Sequence, residues 1–286
     1  MCESRHSRNV PFTPHTQRLN SASAAVQVLT TAFPDDPYLE TATSAALMRQ
    51  VARAEIPPAI RLNRMAPILA FGKLDRLRPG YRRAVAIARE AGYVPVERIA
   101  GGRAAVFHEG TISFSHAIRA GGGSGSYAGT HERFAAMAAT IAAAGSALGV
   151  DARVGEVPGE YCPGEFSVNS GGRIKLAGIG QRVIVGGAHV GAVIVVRGAG
   201  RINEVLEPVY AALDLEFEPD ATGSLAAALG ESDQPIPLGM PDRLTESTVA
   251  ALRAELAKTY ELRDAELAES TLRLAEQSKA EYRPRV

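Results

Sequence analysis

Two stretches of the sequence carry side chains able to do covalent or anion chemistry. The first, YCPGEFSVNSGGRIKLAGIGQRV, holds Cys162 and Lys175. The thiolate is the nucleophilic form of cysteine, and a nearby ammonium lowers the thiol pKa from its free value of about 8.5. Pro163 and Gly164 would hold Cys162 in a turn, which suits an accessible thiol better than a core one. If EFSVN and RIKLAG pair as a hairpin about Gly171 and Gly172, the residues near its open end come together. The same residues also fit an inert buried thiol beside a surface lysine, and spacing alone does not separate the two readings. The second stretch is RIAGGRAAVFHEG, from Arg98 to Gly110. Two glycines between strands let backbone amides approach a ligand closely, and Arg98 or Arg103 can meet an anionic group. A plain turn with solvated arginines fits that spacing equally well.

Other chemistries find less support. Gly123-x-Gly125-x-x-Ala128 lies in the low-complexity run AGGGSGSYAG, which reads as a flexible loop. No acidic residue follows a clear strand-to-helix turn there, so a dinucleotide site is not expected. The run also lacks the Lys-Ser/Thr ending of a phosphate-binding loop. No cluster of His, Cys and carboxylates has metal-ligand spacing, and neither metal nor cofactor is expected. Lys plus Arg and Asp plus Glu are equal at 31 each, and basic residues are scattered, which argues against nucleic acid. There is no apolar run long enough to span a membrane. The segment MCESRHSRNVPFTPHTQ is polar and lacks the apolar stretch of a signal peptide. Cys2 and Cys162 make no disulfide framework, so reduced thiols in the cytoplasm are expected.

The elements that must position these residues mix helices with hairpin-linked strands. Apolar spacing predicts a helix from Leu39 to Val51, stopped by Pro57-Pro58, and another over residues 80–91, stopped by Gly92. Short strands are expected at Ile60–Leu62 and Ile68–Phe71, with Pro67 between them. The sequence VPVERIAGGRAAVFHEGTISFSHAI reads as strand, glycine turn, strand, turn, strand. The strands carrying Arg98 to Phe107 and Lys175 to Arg182 are expected to lie in one sheet, with the Gly101-Gly102 turn and Cys162 at the same mouth. An alanine-rich helix closed by Gly149 follows. Then come strands in DARVGEV, EFSVN, RIKLAGIGQRVIV and HVGAVIVV, the last three separated by glycine pairs at 171–172 and 186–187. INEVLEPVYAAL reads as a helix. Residues 243 to about 280 read as one long charged helix with Val249, Leu252, Leu256, Tyr260, Leu267 and Leu274 on a narrow packing stripe. The order is α+β, a mixed and largely antiparallel sheet flanked by helices, not a doubly wound α/β fold. Residues 1–20 read as an unstructured tail, 21–240 as the catalytic domain and 241–286 as the C-terminal helix.

RIAGGRAAVFHEGTISFS followed by GRIKLAGIGQRV resembles the catalytic domain of the lipoate/biotin protein ligase and octanoyltransferase superfamily. Its members carry an Arg-x-x-Gly-Gly strand-turn-strand and then a strand with an essential lysine in a Lys-x-x-Gly setting. AIRLNRMAPILAFGK resembles the family's first hairpin, and GYRRAVAIAREAGY holds the usual place of the helix before Arg98. The resemblance runs from about residue 38 to 215. YCPGEFSVNSGGRIKLAGIGQR is most similar to cysteine-dependent amidotransferases that move octanoyl from the glycine cleavage H protein to other lipoyl domains. There the cysteine before the hairpin forms an acyl-thioester and the lysine lowers its pKa; Cys162 and Lys175 match those positions. The resemblance implies substrate contacts from Arg98, Gly101, Gly102 and Arg103, and a place for His189 beside the acyl tunnel or the lysine. It implies lipoyl-domain partners, the H protein and 2-oxoacid dehydrogenase acyltransferase subunits. Arg103 stands where many ligases have a third glycine. The implied cargo is an octanoyl or a lipoyl group. The alternatives are a related cysteine transferase that takes octanoyl from acyl carrier protein, an ATP-dependent lipoate ligase, and a non-catalytic domain binding a lipoyl protein or a small acid.

Overall fold

A computed structural model of the chain describes residues 24–120 and 128–286. The expected N-terminal tail and the Gly123–Gly125 motif lie outside the described residues. The strands are β1 (Ala24–Leu29), β2 (Ala59–Arg64), β3 (Ile68–Phe71), β4 (Val94–Glu97), β5 (Ala105–Phe107) and β6 (Thr111–Arg119), then β7 (Ala152–Val154), β8 (Val168–Ser170), β9 (Ile174–Ile184), β10 (Gly187–Val195) and β11 (Tyr260–Asp264). The helices are α1 (Pro37–Ala52), α2 (Tyr81–Glu90), α3 (Thr130–Ala147), α4 (Ala199–Ala212), α5 (Leu225–Leu229), α6 (Arg243–Ala257) and α7 (Glu269–Ser278).

Local chemistry sets most of these boundaries. The Asp36 carboxylate accepts from the Leu39 amide at 3.0 Å and caps α1, and Pro37 at the first position forfeits no helical hydrogen bond. Tyr81, Ala84, Val85 and Ala88 form the buried stripe of α2, and Gly92 follows it at φ +79°. Gly171 and Gly172, at φ +60° and +73°, turn β8 into β9 as the sequence requires.

Eight strands form one sheet in the order β11-β1-β2-β6-β10-β9-β8-β7, and three form a second in the order β4-β3-β5. In the large sheet only the β11-β1 and β1-β2 pairs run parallel. The fold is therefore α+β with a largely antiparallel sheet flanked by helices. Met137 and Ile141 of α3 and Leu252 of α6 pack against Phe114, Leu176 and Ile194 on one face of the large sheet. The small sheet lies over the other face, backed by Tyr81 and Val85 of α2 and Val205 and Leu206 of α4. Strand alternation sorts the residues between those faces. In β6, Ile112 and Phe114 enter the α3/α6 core, while Ser113 and Ser115 face the space between the sheets. Opposite them in register lie Val193 and Gly191 of β10.

Three expectations are corrected. β2 and β3 do not form a hairpin with each other: β2 pairs with β1 and β6, β3 with β4 and β5. Pro67 between them has no amide hydrogen to continue a ladder, so the chain leaves one sheet there and enters the other. For the same reason the strands leading from Arg98 to Phe107 and those after Lys175 lie in different sheets that face each other. The C-terminal helix is present as α6 but stops at Ala257 instead of running to about 280. Tyr260–Asp264 is β11, parallel to β1, and α7 follows. The charged YELRD has helical propensity, but the hydrogen-bonding groups of the β1 edge outweigh it.

Candidate active site

Cys162 lies in the loop between β7 and β8 at φ +44°, a left-handed conformation that costs a non-glycine residue energy and persists only when neighbours fix it. The fixing contact comes from α4. The Cys162 amide donates to the Tyr210 hydroxyl at 2.9 Å, and that hydroxyl donates to the Ala104 carbonyl at 3.0 Å. The backbone of the thiol loop is thus tied to the strand that follows the Gly101-Gly102 turn.

The turn in turn supplies the thiol's polar neighbours. The Arg103 amide donates to Cys162 Sγ at 3.1 Å, and Arg98 Nη2 lies 3.6 Å from the same sulfur. Gly102 adopts φ +99°, and a Cβ there would stand 2.2 Å from Arg98 Nη2 and 2.9 Å from the sulfur. Only glycine leaves room for the pair. Beneath the turn, the fully buried Asp75 accepts from the Gly72 amide at 2.8 Å and faces the Arg103 guanidinium at 3.7 Å. Gly72 touches the Gly102 carbonyl so closely that any Cβ would overlap it. Burial pushes the Asp75 carboxyl above its ordinary range.

Lys175 is 1% exposed and its three ammonium hydrogens are all engaged. They go to Glu160 Oε1 at 3.1 Å, the Tyr161 carbonyl at 2.9 Å and the Cys162 carbonyl at 2.9 Å. The ammonium also sits 4.8 Å from the centroid of the Tyr161 ring. Burial pulls its pKa below the usual ammonium range, against the opposing pull of Glu160 and Cys162. At the thiol, burial pushes the pKa up. Arg98 first, then Lys175 and the Arg103 amide, outweigh that and bring Cys162 below the ordinary thiol value. A sulfur that accepts two hydrogen bonds and faces the half-buried Arg98 and the buried Lys175 has its thiolate form favoured over that of a free thiol.

Cys162, Lys175, Arg98, Gly101 and Gly102 share one end of a cavity of about 390 Å³ between the two sheets. Ile68 and Ala70 of β3, Val96 of β4, Phe107 of β5 and Val193 of β10 give it apolar walls, so it suits an aliphatic chain. His189 lines it as well; its ring reaches over Gly191, which pairs with Gly180 of β9, two residues from the Gly178 that the Lys175 ammonium approaches. Burial, followed by the Arg61 charge, lowers the imidazole pKa to about 4. A second cavity of about 270 Å³ lies along the Ile99–Gly102 turn and is bordered by Lys73 and Arg182.

All seven residues singled out in the sequence therefore border the thiol or its cavity. Arg103 does so by its amide, its side chain being turned to Asp75. Four residues of the arrangement escaped the sequence reading: Glu160, Tyr161, Asp75 and Tyr210. Glu160 and Tyr161 directly precede Cys162, and a carboxylate so close to a candidate nucleophile is a signal that could have been read. Asp75 and Tyr210 arrive from distant segments and leave no local mark.

The family profile described as the lipoyl protein ligase A/B catalytic domain matches residues 36–221. A Geobacillus kaustophilus protein named octanoyl-(GcvH):protein N-octanoyltransferase is 30% identical over 57% of this chain, and the match spans 58% of that protein. A protein of the same name from Anoxybacillus flavithermus is 30% identical over 81% of this chain and 80% of its own length. Among solved structures, a lipoate-protein ligase A bound with ATP superposes with TM-score 0.65 at 15% identity, covering 90% of this chain and 94% of that one. A bi-partite lipoate protein ligase from Thermoplasma acidophilum, solved in work that includes its E2 lipoyl domain, gives 0.61 at 15% identity, covering 90% and 92%. At those identities the likeness to solved structures is one of fold.

Proposed function

The chain belongs to the lipoyl protein ligase A/B catalytic-domain family, and from that premise we propose that it is an octanoyltransferase acting through a thioester on Cys162. The single observation that supports this most is the thiol's setting, with Arg98 and the Arg103 amide on the sulfur at the mouth of an apolar cavity. A lipoate ligase that activates its acid as an adenylate needs no activated thiol there. The two relatives' names, octanoyl-(GcvH):protein N-octanoyltransferase, supply the acyl group and the donor class.

The reaction divides into two acyl transfers. The Cys162 thiolate attacks the carbonyl of an octanoyl amide on the lysine of a donor lipoyl domain, the glycine cleavage H protein. A C–S bond forms, the C–N bond breaks, and the lysine leaves as a neutral amine after its nitrogen takes a proton from solvent. A lysine amine of the acceptor lipoyl domain, such as that of a 2-oxoacid dehydrogenase acyltransferase subunit, then attacks the thioester. The thiolate departs and the amine's proton is released. Splitting one amide exchange at a thioester replaces a hard step by two easier ones. Arg98 and an amide of the glycine turn are the donors proposed for the tetrahedral oxyanion, while Lys175, its three hydrogens already engaged, adds only its charge; losing one such donor costs about 10²- to 10³-fold in rate. Gly101 and Gly102 let the backbone approach the acyl carbonyl, and His189 borders the tail of the chain. Among the described residues no helix is long and apolar enough to cross a membrane. A reduced catalytic thiol is in keeping with a cytoplasmic enzyme.

Intact-mass measurement after incubation with octanoyl-H protein, without nucleotide, tests the reading. An octanoyl adduct on the chain that is absent from Cys162→Ala, and that passes to a lipoyl domain, is the expected result. The second reading, an ATP-dependent lipoate ligase, has in its favour the 270 Å³ cavity bordered by Lys73 and Arg182 beside the glycine turn. Full activity of Cys162→Ala with free octanoate and ATP would establish it in place of the first.

A further inference from the structure

We propose that Glu160 is a positioning residue of this site: its buried carboxylate fixes the Lys175 ammonium against the carbonyl of Cys162 and ties the thiol loop to that ammonium. The inference deepens the transferase reading and rests on it for the role of Cys162, though its test requires no acyl substrate.

An ammonium in this position is costly. Lys175 lies 1% exposed, and an isolated charge so far from water would give up its proton. The charged groups that face it are Glu160, Cys162 and Arg98. Arg98 repels the ammonium, and Cys162 attracts it only as a thiolate, an attraction that disappears when the sulfur is acylated. Glu160 is the one partner whose charge persists through the cycle. Its side chain is fully buried and 3.1 Å from Nζ, so the pair lies where Coulomb attraction is little screened.

The same carboxylate organises the loop. Glu160 Oε1 also accepts from the Ser167 hydroxyl at 2.6 Å and the Gly164 amide at 2.9 Å, and Oε2 accepts from the Val157 amide at 3.2 Å. Gly164 and Ser167 lie after Cys162 and Val157 before it, so one carboxylate closes the loop from both sides of the thiol. Lys175 completes the closure by donating to the carbonyls of Tyr161 and Cys162. The left-handed Cys162 is held between that knot and the Tyr210 hydroxyl. Charges also balance: with the sulfur ionised, Arg98 and Lys175 face Glu160 and the thiolate, two of each sign. Forming the thioester removes one negative charge beside the Arg98 guanidinium and leaves Asp75 as its remaining counter-charge, so that the guanidinium favours the next oxyanion.

The test is the pH profile of Cys162 alkylation by iodoacetamide, with circular dichroism as the check on folding. In Glu160→Gln the ammonium loses its lasting partner, Lys175 turns neutral, and the sulfur loses a cation. The alkylation midpoint is expected to rise, and the rate at pH 7 to fall about tenfold for each pH unit of that rise. Glu160→Asp, which keeps the charge, should bring the midpoint part of the way back. A profile for folded Glu160→Gln that overlays the wild type, or the same midpoint for Gln and Asp, overturns the proposal. Should Glu160→Gln fail to fold, Lys175→Met is compared with Glu160→Gln/Lys175→Met, which sets two neutral chains in the ion pair's volume. The glutamine amide oxygen can still accept from Gly164 and Ser167, so the loop keeps those contacts; a carboxylate whose effect on the thiol passes through Lys175 then adds nothing once that lysine is gone, and the two profiles should coincide. A further upward displacement in the double variant would mean that Glu160 acts on the loop alone and would overturn the proposal. Because alkylation needs no octanoyl donor, failure of the transferase reading would leave these outcomes legible.

Discussion

The Arg98 guanidinium stands 3.6 Å from the Cys162 sulfur, whereas the Lys175 ammonium meets the same residue at its carbonyl oxygen, at 2.9 Å. The two cations therefore divide the work. Arg98 touches the sulfur itself, and Lys175 holds the residue through its carbonyl.

Arg98→Ala should for this reason raise the thiol pKa more than Lys175→Ala does. Alkylation of Cys162 at pH 7 should slow in both variants, about tenfold for each pH unit by which the thiol's midpoint rises, with the Arg98 variant the slower. Equal rates for Arg98→Ala and the wild type would show that the guanidinium does not hold the thiolate.

Gly102→Ala should keep its fold and lose its activity. The residue is exposed, but its φ of +99° and the 2.9 Å approach of a Cβ to the sulfur would displace the Arg103 amide and Arg98. A misplacement of about 1 Å costs about 10²-fold in turnover. A steady-state assay beside a thermal melt separates the two effects, and an active Gly102→Ala would remove the turn from the mechanism.

Tyr210→Phe should loosen the thiol loop. It deprives the half-buried Cys162 amide of its acceptor and the buried Ala104 carbonyl of its donor. Leaving such groups unpaired costs about 1–3 kcal/mol each. The expected outcome is a lower melting temperature with faster hydrogen exchange at the Cys162 amide.

Stability should fall in mild acid. Burial first, and then neighbouring charges, lower the pKa values of His108, His116 and His189 each to about 4 in the folded chain, against an ordinary value of 6.5. The unfolded chain therefore takes up these protons first. The stabilisation is complete above about pH 6.5 and is lost as the pH falls toward the folded values, at up to about 1.4 kcal/mol per pH unit for each histidine. Urea midpoints at pH 7 and pH 5 measure it. His116→Phe, at a ring that packs edge-on to Tyr260, should lessen the slope, and an unchanged slope would show that His116 titrates normally.

By itself the sequence determined the local parts of this site. Gly171 and Gly172 dictate a tight turn, Pro163-Gly164 dictates a bend after Cys162, and the apolar alternation of β9 and β10 dictates strands. Each of these rests on interactions within a few residues, which sequence spacing records. Tertiary structure decided which parts meet. Pro67 sends β2 and β3 to different sheets, so the Arg98 turn faces the Lys175 strand across a cavity where a shared sheet was expected. Tyr260–Asp264 becomes a strand because the edge of β1 is there to receive it. Glu160 stands two residues before Cys162 in plain view, but its pairing with Lys175 depends on burial, and the Tyr210 hydroxyl that holds Cys162 arrives from a distant segment that local spacing does not record.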